Sequence, residues 1–155
     1  MDTEIIKEIG GKDKILFAYS LKNAIGMNIR SLYVTKDIKD NLYLVSGSNI
    51  DKKYTVGIDK LENILINNEK EFEEGKKVEL PSALIMDGYI NEFCFSVNGK
   101  LYSDKLNNLW GYDDNAIDNN KHLSIVFKIF NEMYDALESD CEEIDNYFVI
   151  SAPMD

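Results

Sequence analysis

The stretch ALIMDGYINEFCFSVNGKLYS, residues 83–103, decides the fold. Asp87-Gly88 and Asn98-Gly99 each separate runs rich in apolar and aromatic residues. Both dipeptides favour the two-residue type I′ turn, whose central residues take positive φ and whose twist matches the flanking strands. Three antiparallel strands are therefore predicted, at 83–86, 89–97 and 100–103, with Phe95 opposite Tyr102 and Ile85 opposite Ile90. Alternation puts Phe93, Phe95 and Val97 on one face and Glu92, Cys94 and Ser96 on the other.

Upstream, residues 28–35 (NIRSLYVT), 41–46 (NLYLVS) and 53–58 (KYTVGI) are β-branched and aromatic and are joined by short polar links. They read as an antiparallel meander. Asp59 then opens a helix with Glu62 as its capping-box partner, Leu61, Ile64 and Leu65 as its buried face, and Phe72 as the last anchor before Gly75. Residues 14–25 (KILFAYSLKNAI) lie between a capping Asp13 and a terminating Gly26. Phe17, Leu21 and Ala24 make an apolar stripe, so a helix is expected there, although ILFAY would also suit a strand. A short helix is expected at 3–9, closed by Gly10-Gly11.

Downstream, residues 104–120 form a long polar loop that is either functional or partly ordered. An amphipathic helix follows, capped by Asn119 or Asn120. Leu123, Val126, Phe127, Phe130, Tyr134 and Leu137 recur at steps of three and four, widened by Ile125 and Ile129. Residues 146–152 (NYFVISA) suggest a closing strand. The fold class is α+β: a single domain, residues 1–155, with an antiparallel sheet of meanders and hairpins packed against a long amphipathic helix and shorter helices.

A 155-residue chain that is 45% hydrophobic can bury a real core, which excludes global disorder. The net charge of −11 is unevenly placed. Residues 1–60 carry ten Lys/Arg against eight Asp/Glu, whereas residues 61–155 carry seven against twenty. The acids bunch at Glu69, Glu71, Glu73 and Glu74; at Asp113, Asp114 and Asp118; and at Asp135, Glu138, Asp140, Glu142, Glu143 and Asp145. Such charge repels phosphate backbones and anionic lipid, so neither direct nucleic-acid nor membrane binding is expected. No apolar run is long enough to span a bilayer, and MDTEIIKEIGGKDK lacks the apolar core of a secretory signal. With two cysteines and no disulfide framework, a cytoplasmic location is expected.

Catalytic groups are scarce. His122 is the only histidine, placed at the edge of an apolar helix arc where a structural role is expected. Cys94 alternates with core residues, and the acids around Cys141 raise its thiol pKa and make it a poor nucleophile. Neither GxGxxG nor GxxxxGK[ST] is present. Asp113, Asp114, Asn115 and Asp118 could offer oxygens to Ca²⁺ or Mg²⁺, but an EF-hand frame fails because Ile117 and Asp118 occupy its fifth and sixth positions. The chain is therefore expected to be no enzyme and to hold no metal or cofactor.

Residues 84–90 (LIMDGYI) and 118–130 (DNNKHLSIVFKIF) carry a resemblance to bacterial immunity proteins of contact-dependent and other polymorphic toxin systems. Those proteins share an apolar strand ending in Asp-Gly, an aromatic strand, and an Asn-rich loop leading into a helix. The loop here lacks the proline they often place before the helix, and Phe93 or Phe95 stands where they often carry tryptophan. The resemblance implies a non-catalytic inhibitor that occludes the active site of a basic, nuclease-type toxin domain, one-to-one. No site residue carries over from the resemblance; by their own apolar character Trp110 and Tyr112 would supply anchoring, and by their charge Asp113, Asp114, Asp118, Asp140, Glu142, Glu143 and Asp145 the acidic contact. Two alternatives stand beside it: a phage-encoded inhibitor of a host nucleic-acid-targeting complex, which shares the acidic, non-catalytic character, and a small metal-dependent enzyme, which would instead use carboxylates to hold a metal.

Overall fold

The Asn98-Gly99 turn forms as its residue types require, with φ of 51° at Asn98 and 82° at Gly99. It joins β5 (Ile90–Val97) to β6 (Lys100–Asn107), and Phe95 pairs with Tyr102 as the turn dictates. The computed structural model describes residues 14–23, 25, 27–37, 42–47, 54–80, 89–107 and 112–138. The strand at 83–86 with its Asp-Gly turn, the helix at 3–9 and the strand at 146–152 lie outside these residues.

The other strands are β1 (Ile15–Lys22), β2 (Asn28–Asp37), β3 (Leu42–Gly47) and β4 (Tyr54–Gly57). All six make one antiparallel sheet in the order β4-β3-β2-β1-β5-β6. Strands β2, β3 and β4 are the expected meander, and β1 adds a fourth strand to it. The chain then crosses through α1 (Asp59–Gly75) to lay β5 against the other side of β1. After β6 come a short α2 (Asp114–Asp118) and the long α3 (Lys121–Glu138). The architecture is α+β, as expected.

The helix expected at 14–25 is corrected to a strand. As β1 lies inside the sheet, both its faces are covered: Phe17, Tyr19 and Leu21 are buried on one, Ile15, Ala18 and Ser20 on the other. A run apolar on both faces satisfies a helical stripe by coincidence, so its period does not distinguish helix from strand. A register shift between Ile15 and Phe17 gives β1 one residue more than β2 there, a bulge that bends the strand.

Helices α1 and α3 lie side by side and antiparallel, since Gly75 meets His122 and Glu71 faces Lys128. Phe72 of α1 meets Phe93, Phe95 and Tyr102 edge-on, and Phe130 of α3 meets Phe17, Tyr19 and Phe93 in the same way. Edge-to-face contact suits the ring quadrupoles, and these contacts knit both helices to one sheet face. Truncating Phe72 to Ala would cost about 3–5 kcal/mol. On the opposite face Ile15, Ala18 and Cys94 form a second buried cluster with Tyr33 and Leu101 beside it. Ser20, Ser31, Glu92 and Ser96 are also buried.

One helix cap differs from expectation and one agrees with it. Ile58, not Asp59, precedes the first helical residue of α1, and no side chain caps it. Glu62 instead reaches Lys36 of β2, 3.6 Å away, while Asp59 and Glu62 together place negative charge at the positive helix end. For α3, Asn120 is the cap, its Oδ1 accepting from the N–H of Leu123 at 3.1 Å. The long loop expected at 104–120 is partly ordered: its first four residues extend β6, and α2 occupies its centre.

Candidate functional site

Acidic residues that look alike in sequence divide sharply by their neighbours. Those of α1 are tied down. Glu71 faces Lys128 at 3.6 Å, Glu73 accepts from Lys100 at 2.6 Å, and Glu74 accepts from Lys121 at 3.0 Å. The Tyr102 hydroxyl meets both Glu69 Oε2 and Glu73 Oε1, the latter at 2.7 Å, so one phenolic proton serves two carboxylates. Burial and these two carboxylates push the Tyr102 phenol well above its usual range. The Lys100 and Tyr102 hydrogen bonds hold the Glu73 carboxyl below the ordinary range, and Lys121 does the same for Glu74. Lys100 also lies over the Tyr102 ring, 4.9 Å from its centroid. The first acidic bunch is thus a fastening between α1, β6 and α3.

The second bunch is arranged differently. Asp113 caps α2, its Oδ1 accepting from the N–H of Ala116 at 2.7 Å. Asp114 and Asp118 project from this one-turn helix, are exposed, and have no ion pair among the described residues. Tyr112 does not stand out as an exposed anchor. It is half-buried against the main core, and burial pushes its phenol above the usual range. The structure therefore brings Tyr112, Asp113, Asp114 and Asp118 together as one short acidic turn rooted by an aromatic ring. Trp110, Asp140, Glu142, Glu143 and Asp145 lie outside the described residues.

Asp135, first of the third bunch, is exposed on α3 fourteen residues beyond Lys121. At about 1.5 Å per residue this is roughly 20 Å from the α2 end of that helix. A separation of that size exceeds the ~8 Å physiological screening length, so the two act as separate surfaces.

The sequence did not signal a third feature, the pair between His122 and Asp104. The imidazole Nε2–H donates to Asp104 Oδ2 at 2.6 Å, a carboxylate being able only to accept. Their side chains are 8% and 12% exposed. The other ring nitrogen, Nδ1, is buried and makes no hydrogen bond. A general base must reach the proton it removes, and this imidazole is enclosed at both nitrogens. The pair fastens the first turn of α3 to β6. The available clue was parity: position 104 shares the helix-facing side with Tyr102.

Among the described residues no three His, Cys, Asp or Glu side chains converge as a metal site would require, and no helix is long and apolar enough to cross a membrane. The chain matches no protein-family model, no curated protein and no solved structure. Its function is accordingly read from its own groups.

Proposed function

We propose that this protein is a non-catalytic binding protein that blocks a basic partner, with the nucleic-acid-binding groove of a nuclease-type toxin as the target. One observation carries this reading. The α1 acids are matched by lysines and a tyrosine, whereas Asp114 and Asp118 on α2 are exposed and unmatched among the described residues. Fixed carboxylates on a short helix present anionic oxygens as a phosphodiester does, and a cationic groove would be steered towards them. Tyr112, held against the core, fixes the turn so that little ordering entropy is lost on binding.

The test is capture from a cell that carries the neighbouring gene, followed by activity measurement on the captured protein. Recovery of a basic protein at one-to-one stoichiometry, with its nucleic-acid cleavage quenched, supports the proposal. D114K/D118K should then slow association at least tenfold at low salt. Metal-dependent turnover by this chain itself, with no partner recovered, would overturn it.

A further inference from the structure

Among the described residues the sheet has two outer strands, β4 and β6. With four residues, β4 is too short to template much. The other, β6, has eight residues, and its ladder can be worked out from the turn that precedes it. In a two-residue hairpin the flanking residues, here Val97 and Lys100, exchange backbone hydrogen bonds. Counting on in twos, Tyr102, Asp104 and Leu106 also direct their N–H and C=O groups to β5. Leu101, Ser103 and Lys105 direct theirs outward, where an added strand would bind.

The middle of that outer row is occupied by side chains. Lys76, just past the end of α1, donates its ammonium to the Ser103 carbonyl at 2.6 Å. Asp104 Oδ1 accepts the Lys105 N–H at 2.9 Å. The same carboxylate is held by its other oxygen to His122. Thus the residue following α1 supplies the plug for one outward group, and α3 steadies the plug for another.

We propose that the outer edge of β6 is a strand-pairing surface for a second copy of this chain, held shut by Lys76 and by Asp104 as positioned by His122. A register centred on Ser103 suits a second copy of this chain. With Ser103 opposite its own counterpart across a two-fold axis, Lys100 falls opposite Leu106, Leu101 opposite Lys105, and Tyr102 opposite Asp104. No like charges meet, and the row of outward groups is self-complementary. The plugs keep the chain single by satisfying the two central groups internally. This inference is independent of the proposed inhibition, since it involves neither α2 nor a foreign partner.

The experiment uses the full chain and measures mass by sedimentation velocity over a concentration series. The opened variant is K76A/D104V/H122L, which removes both plugs and leaves no histidine orphaned. Wild type should stay at one chain. The opened variant should move to two chains, with self-association at least tenfold tighter, and with slowed amide exchange at Leu101, Ser103 and Lys105. Adding S103P, which deletes an outward N–H without touching the β5 ladder, should return it to one chain. A folded opened variant that stays single, a dimer that survives S103P, or a wild type already paired through β6 would each overturn the proposal. If the opened variant does not fold, K76A decides. It must self-associate more than wild type in an S103P-sensitive way, and equality with wild type counts against the proposal.

Discussion

His122 Nε2 lies 2.6 Å from Asp104 Oδ2, joining the first turn of α3 to the outermost strand of the sheet. Both groups are nearly enclosed, so neither can exchange its partner for water. H122A should therefore destabilise the fold by about 2 kcal/mol, the cost of leaving a largely buried carboxylate one partner short. Urea denaturation measures it. H122L/D104V, which removes both members of the pair, should lose less than H122A alone.

Gly75 gives a prediction of sign. In an exposed helix, Gly to Ala gains about 1 kcal/mol. Here an added Cβ would come within 2.9 Å of Ile125 Cγ2 and 3.3 Å of the His122 Cα, where α1 passes α3. G75A should instead cost about 1–3 kcal/mol, because the two helices must separate. A thermal melt that rises would show the crossing to be looser than described.

Tyr102 ties ring packing to acid chemistry. Y102F keeps the stack on Phe95, centroids 5.1 Å apart, and loses the hydroxyl contacts to Glu69 and Glu73. A loss of about 1 kcal/mol is expected, with Glu69 becoming the more mobile carboxylate. Ultraviolet titration should find this phenol among the last to ionise.

The pH dependence has two limbs. Glu73 and Glu74 are held below the ordinary carboxylate range, so their contribution is present at neutral pH and is lost as pH falls through the depressed values. Tyr102 is shifted upward: the native state holds its proton more tightly than the unfolded chain. Its contribution is full below about pH 10 and is lost as pH rises through the elevated value. Carboxyl chemical shifts should show the two glutamates titrating below the ordinary glutamate range, and E73Q should flatten the acid limb.

Within α2, capping and exposure are separable. D113A removes the bond to the Ala116 N–H and should cost up to about 1 kcal/mol. D114K/D118K should change stability by less than about 0.5 kcal/mol, because both side chains face solvent. A larger loss from the double variant would make those residues part of the framework.

Much of the fold was legible because it rests on local chemistry. Asn98-Gly99 specified its turn, and with it the facing of Phe95 and Tyr102. The spacing of Leu123, Val126 and Phe130 specified α3 and its buried side. Over residues 14–25 the apolar pattern suits a helix as well as a strand, because a strand covered on both faces shows no alternation, and coverage is a property of neighbours far along the chain.

By itself the sequence determined the α+β class, the three-strand meander, the hairpin around Asn98-Gly99 and an acidic surplus. Only the tertiary structure decided what each acid does. Whether a carboxylate is matched depends on lysines, a tyrosine and a histidine 13 to 70 residues away, brought near by the strand pairing, the α1 crossover and the packing of α3. Charge counts along a chain cannot register such distances, because Coulomb attraction acts through space and falls steeply with separation in salt.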